Sequence, residues 1–176
     1  MTLTDYFNTP ETVLPQELIY GHIRVAEAPF VSHQRVVLNV AIAMETHART
    51  HGSGEVFVSP IDVVLDRNRA LVVQPDLLFI AQARRGIVLD RIYGPPDLVL
   101  EVLSPNPRIG QLDERVRWFA TYGVREIWIY HQPEQRLDIL RCENGRVASR
   151  RAVRAFDRIQ SAVLPMFDPS LGSIVA

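Results

Sequence analysis

The chain has 176 residues, a formal net charge of −1, 47% apolar residues and 22% charged ones. That length suits one domain, residues 1–176, around one real core, and the composition is that of an ordinary soluble globular protein. No apolar run approaches the ~20 residues of a membrane-spanning helix, the first seven residues hold no signal-peptide core, and the balanced charge allows nucleic-acid binding only through a local patch.

A single cysteine, Cys142, cannot form an internal disulfide, so a reducing cytoplasm is the expected setting. No activating motif surrounds it, and it reads as packing. All 19 basic residues are arginine. A GC-rich genome is the plain explanation, but it has a chemical consequence. No lysine is present to form a Schiff base, line a phosphate-binding loop or donate a proton, and every non-histidine cation stays protonated.

Residues 1–16 read as a short helical turn and a proline-bounded lead-in. Residues 17–25 read as a strand or a tight hairpin turning at Gly21. Ser32 is placed to cap a helix over about 33–50, with Val36, Val37, Val40, Ile42, Ala43 and Met44 on a broad apolar face. His47 and His51 share the end of that helix at a spacing that can hold zinc. No third ligand is evident, and two histidines favourably placed at a helix C-terminus are the simpler reading.

Gly52-Ser53-Gly54 stops the helix. Residues 55–65 alternate as one strand, 66–69 turn, and 71–80 return, which is a hairpin pattern. Arg84-Arg85-Gly86 is loop. A further strand covers 98–103 and is broken by Ser104-Pro105-Asn106-Pro107. A helix follows over 109–122, with Leu112, Val116, Phe119 and Ala120 as its stripe and Gly123 as its stop. At 100° per residue, Arg115 lies on the flank of that stripe with Arg108, Gln111 and Tyr122, whereas Arg117 faces solvent. Strands over 126–130 and 136–140 come next, and Asn144-Gly145 predicts another hairpin. Arg146, Arg150, Arg151, Arg154 and Arg158 then read either as a phosphate-facing patch or as solvated surface.

Two acids stand out. Glu101 is the single polar residue among six in the strand 98–103, a run whose composition indicates burial on both faces. An unpaired carboxylate there costs several kcal/mol. Glu101 is therefore paired with an arginine, protonated, or bound to a metal. By strand alternation it shares a face with Asp97, Val99 and Leu103. Asp76 enters the strand after Pro75 in a similarly apolar setting. If the two strands pair, both acids meet at one end of a sheet, where each raises the other's pKa. A divalent cation between them removes that repulsion, and carboxylates suit Mg²⁺ or Mn²⁺.

The ordered set of motifs resembles the Uma2 family of restriction-endonuclease-like proteins, also catalogued as DUF820. The matching signals are Glu17-Leu18-Ile19-Tyr20-Gly21, His33 at the first long helix, Pro60-Ile61-Asp62-Val63, Gln74-Pro75-Asp76-Leu77, residues 96–105 and Gly123-Val124-Arg125-Glu126-Ile127-Trp128. The resemblance spans about residues 16–135. It implies the PD-(D/E)XK nuclease fold, an α/β (α+β) architecture with a restriction-endonuclease-like mixed β-sheet flanked by helices. It also implies that Asp76 and Glu101 are the paired acids and, with the Val102 carbonyl, the metal ligands. The usual signature lysine would fall at Leu103. In the Uma2 pattern it has moved to the following helix, where this chain has Arg115. Gln111 and His22 occupy two further positions where the pattern carries acids.

The expectation is a Mg²⁺- or Mn²⁺-dependent endonuclease hydrolysing DNA phosphodiester bonds, with Asp76, Glu101 and Arg115 as the catalytic set. A homodimer would suit cleavage of both strands, and no membrane partner is expected. The alternative is a relative that keeps the fold and binds nucleic acid or protein without catalysis.

Overall fold

The computed structural model describes residues 1–10, 15–26, 28–103 and 109–176, and the side chains of residues 109 and 110 are not described. The expected strand break at residues 104–107 and the placement of Arg108 lie outside the described residues. Helix α1 (Leu3–Phe7) opens on a capping box, in which Asp5 N–H donates to the Thr2 hydroxyl and Thr2 N–H to the Asp5 carboxylate. Strands β1 (Gln16–Ile19) and β2 (His22–Val25) form a hairpin, one of the two readings open for residues 17–25. Its two turn residues, Tyr20 and Gly21, both have positive φ, 50° and 86°, the primed-turn geometry that suits strand twist.

Helix α2 (Val31–His51) begins two residues earlier than expected, after Phe30, whose side chain makes no cap bond. Ser32 thus lies inside the first turn and caps nothing. The extended backbone at Phe30, next to Pro29, sets the start instead. Gly52 ends the helix in the left-handed conformation, φ 58°.

The expected long strand over 55–65 is two strands in two sheets. The alternation runs through Pro60, but proline has no N–H for a ladder. β3 (Gly54–Val58) lies before it and β4 (Val63–Asp66) after it. The returning segment divides the same way at Pro75, into β5 (Leu71–Val73) and β6 (Leu77–Ala81). One bent hairpin therefore serves both sheets, β4 with β5 in the first and β3 with β6 in the second. The Arg84-Arg85-Gly86 stretch is a 3₁₀ turn, Gln82–Ile87, rather than open loop.

Among the described residues, the first sheet has the order β2-β1-β5-β4-β7, with β7 at Ile92–Tyr93. The second has the order β11-β10-β9-β8-β6-β3, with β8 (Leu98–Leu103), β9 (Glu126–His131), β10 (Arg136–Glu143) and β11 (Arg146–Val153). β8 and β9 are parallel, and helix α3 (Ile109–Tyr122) makes the crossover that such a pair requires. Helix α4 (Leu171–Val175) packs near α2.

The central strands of the second sheet are buried on both faces. Leu98, Leu100 and Val102 pack with Val40 and Met44 of α2 and with Trp128 and Phe167. Val99 and Leu103 point the other way, with Trp118 and Phe119 of α3 and Val63 and Val73 of the first sheet. The alternation read from the sequence of β8 is thus realised. His47 and His51 stack at 4.2 Å; His47 also packs on Phe167, and its Nε2 lies 2.9 Å from the Pro165 carbonyl. They finish the helix rather than hold zinc. Burial pushes the Cys142 thiol up to about 11, consistent with a packing role. No helix among the described residues is long and apolar enough to cross a membrane.

Candidate active site

The site forms where the two sheets meet. In the antiparallel β6–β8 ladder, Leu77 faces Leu100, Leu78 faces Val99 and Phe79 faces Leu98. One step further along that register, Asp76 comes opposite Glu101. Asp76 is the first residue after the Pro75 corner, so the switch of sheet delivers it to the end of β8. Its Oδ2 accepts a hydrogen bond from the Val102 N–H at 2.7 Å and lies 3.2 Å from His33 Nε2. His33, from the first turn of α2, is largely buried, and its buried Nδ1 has no hydrogen-bond partner among the described residues.

Glu101 has an immediate partner. Arg115, from the second turn of α3, donates from Nε to Glu101 Oε1 at 2.6 Å. The same guanidinium donates from Nη1 to Glu17 Oε1 at 2.6 Å. Glu17 sits on β1 and also accepts from the Gln74 main-chain N–H at 2.6 Å. The Gln74 side chain continues to Asp62, which in turn accepts from the Tyr6 hydroxyl and pairs with Arg91. The inward phase expected for Arg115 is correct, and Arg117 is exposed. The arginine pair that was one of three outcomes open for Glu101 is present.

The charge balance is uneven. Two carboxylates, Glu17 and Glu101, share one guanidinium, and the charge of Asp76, which lies beside His33, also acts on Glu101. Burial, and after it the charges of Asp76 and Glu17, push the Glu101 carboxyl up to about 8 against the opposing pull of Arg115. Burial disfavours the Arg115 cation, but Glu101 and Glu17 more than offset this and hold it well above its ordinary value. It is a fixed positive charge and no proton acceptor.

Among the described residues, no group of three or more His, Cys, Asp or Glu side chains is arranged to hold a metal ion. The donors nevertheless fit a hard cation in part. The bonds that Asp76 and Glu101 make among the described residues fall on one oxygen each, Oδ2 and Oε1. Asp76 Oδ1 and Glu101 Oε2 take no hydrogen bond from a described residue, which leaves one oxygen of each carboxylate open. That is the chemistry of a site for a divalent cation with oxygen ligands.

Two participants had a weak signal in the sequence. Glu17 and His33 fall within motifs that carry the family resemblance, yet neither carries a burial signal of its own. Each meets its partner across a long stretch of chain, 98 residues from Glu17 to Arg115 and 43 from His33 to Asp76. Two other buried acids, Asp97 and Glu126, have structural duties. Asp97, at the opposite end of β8, accepts from the Ala81 N–H and pairs with Arg84 and Arg125. Glu126 accepts from Trp128 Nε1 and the Ala162 N–H.

A family model described as "Uma2: Putative restriction endonuclease" matches residues 3–171. The chain belongs to the Uma2 family. A solved structure agrees in fold: the crystal structure of "a putative nuclease belonging to DUF820 from Anabaena variabilis ATCC 29413" superposes with a TM-score of 0.83. It shares 15% identity with this Uma2 chain, over 99% of this chain and 97% of that one. No curated protein matches. The mixed α/β architecture with flanking helices expected from the sequence is present and matches that neighbour, but its strands form two sheets where one was expected.

Proposed function

We propose that this Uma2 protein is a metal-dependent endonuclease that hydrolyses phosphodiester bonds of DNA at Asp76 and Glu101. The observation that carries this reading is the register of β6 and β8, which brings these two acids face to face beside Arg115. Asp76, Glu101 and the Val102 carbonyl are the residues that would hold Mg²⁺ or Mn²⁺. Support for Val102 comes from strand geometry. Its N–H is directed at Asp76, and the N–H and C=O of one strand residue leave on the same edge. The next carbonyl, Leu103, accepts from Gln132 on the β9 side, as alternation requires.

A bound divalent ion would supply charge neutralisation at a phosphate oxygen and a more acidic water. The chain's own groups do the rest. The Val102 N–H and His33 hold Asp76 in one orientation. Glu17 anchors Arg115 from the side away from Glu101, so the guanidinium keeps its place when Glu101 turns to another partner. Its remaining N–H groups then face the developing charge on the phosphate. Arginine can stabilise that charge but cannot accept a proton, so proton removal from the attacking water falls to a carboxylate or to solvent.

The second reading is a Uma2 fold that binds nucleic acid or protein without cutting. One observation favours it: the Arg115–Glu101 pair already satisfies Glu101 without a metal.

A calorimetric Mn²⁺ titration separates the two. The nuclease reading expects one site in the wild type, lost in both Asp76→Asn and Glu101→Gln with the fold intact. Absence of binding in the wild type, with DNA present as well as without it, supports the non-catalytic reading.

A further inference from the structure

The sheet face that carries Glu101 continues past β8. The parallel β8–β9 register sets Glu101 beside Ile129 and Leu103 beside His131. The β9–β10 register sets Ile129 beside Asp138 and His131 beside Arg136. The β10–β11 register sets Leu140 beside Arg150. Paired residues present their side chains to one face. Glu101, Ile129 and Asp138 therefore form a row across the sheet, and Asp138 stands two strands from Glu101, about 10 Å at ordinary strand spacing.

Asp138 gathers cations. Its side chain is 3% exposed, and its Oδ2 accepts from Arg150 Nη2 at 2.6 Å and lies 2.8 Å from His131 Nε2. Arg136 approaches from the strand start, with Nε 3.3 Å from Oδ1. A half-exposed acid, Glu134, lies 3.4 Å from the other nitrogen of His131. Burial raises the Asp138 carboxyl, but Arg150, Arg136 and His131 outweigh it and hold it below the usual carboxylate range.

One buried carboxylate needs one cation. Here it orients two guanidinium groups, and Arg150 keeps 57% of its side chain exposed. Each guanidinium has five N–H donors in a fixed fork that matches phosphate, and Asp138 engages only part of each.

We propose that Arg136 and Arg150, aligned by Asp138, bind a backbone phosphate of the same nucleic-acid strand whose reacting phosphate lies at Asp76 and Glu101. The separation of about 10 Å corresponds to a few nucleotides, at about 3.4 Å of rise each. This rests on the nuclease reading and adds to it a path for the strand, laterally from β8 toward β11. Asp138 is a positioning residue, and the two arginines supply the contact.

β11 carries its own control. Arg151 follows Arg150 but pairs with Ile139, whose side chain belongs to the core on the opposite face of the sheet. Arg151 is exposed and bonds only the Gln160 carbonyl among the described residues. Arg150→Ala and Arg151→Ala remove the same charge, one residue apart, from opposite faces.

The test is fluorescence anisotropy of the full chain with a labelled DNA duplex and a labelled single strand, in Ca²⁺ and over a range of salt. Arg150→Ala and Arg136→Ala should weaken binding several-fold and lower the slope of log affinity against log salt by about 1. Arg151→Ala should leave both unchanged, and Arg150→Lys should recover most of the slope. Thermal melts exclude misfolding of Arg136→Ala, and the more exposed Arg150 decides the outcome. Equal losses in Arg150→Ala and Arg151→Ala would reduce the effect to overall charge and overturn the proposal. So would wild-type affinity in Arg150→Ala, with the nuclease reading left standing. A wild type that binds neither probe would remove both.

Discussion

Glu101 was legible because it is the wrong residue for its surroundings, a lone acid in an apolar strand between prolines. Arg115 was legible from helical phase. Glu17 was not, because a glutamate near a strand start is ordinarily solvated, and only the folded chain brings it to Arg115. The same holds for His33, whose place at a helix start says nothing of Asp76. The surplus of carboxylates has a consequence for stability. An unfolded glutamate titrates near 4.5, and folded Glu101 near 8. Between those values the native state holds a proton that the unfolded chain has released, so native stability falls as pH rises across the interval and levels off above it. Urea midpoints in chelator at pH 5 and pH 8 should therefore drop more steeply for the wild type than for Glu101→Gln, which has no such proton. Parallel pH profiles would mean that Arg115 keeps Glu101 ionised throughout.

The strands were legible in number and place, but their assignment to sheets was not. Alternation continues through Pro60, and nothing local says that the residues on either side pair with different neighbours. The long-range ladder decides it. That ladder has one tight point. At Gly54, opposite Ala81 in the β3–β6 pair, an added Cβ would stand 2.1 Å from the Ile80 carbonyl oxygen and 2.7 Å from the Phe79 ring. The nearer neighbour is backbone, which can yield only if the β3–β6 pairing shifts. Gly54→Ala should cost about 3 kcal/mol or more in urea unfolding, the upper range for forced overpacking. Gly52→Ala, where the Cβ meets open space, should cost less and reflect mainly its left-handed backbone, φ 58°. Similar losses in both would show that the β3 edge can shift to accommodate the methyl group.

The overall architecture followed from the motif order, whereas the joint between the two sheets emerges only in three dimensions. The acids come from the six-stranded sheet and its Pro75 corner, and Glu17 comes from the five-stranded one. Arg115 holds both through a single guanidinium. Within the β1–β2 hairpin, β2 is an edge strand whose four residues are all exposed, whereas β1 pairs with β5 and buries Leu18 and Ile19. That makes Arg115 a clasp whose state can be read at a distance. In native-state hydrogen exchange, Arg115→Met should accelerate the β1–β2 amides while those of β9 and β10 keep their protection, because the hairpin opens locally and the central strands open only with the whole chain. A ligand that drew Arg115 away from Glu17 would loosen the hairpin in the same way, whereas a phosphate met by the remaining N–H groups would leave its exchange rate unchanged, so a strand that never touches the substrate tells the two modes of engagement apart.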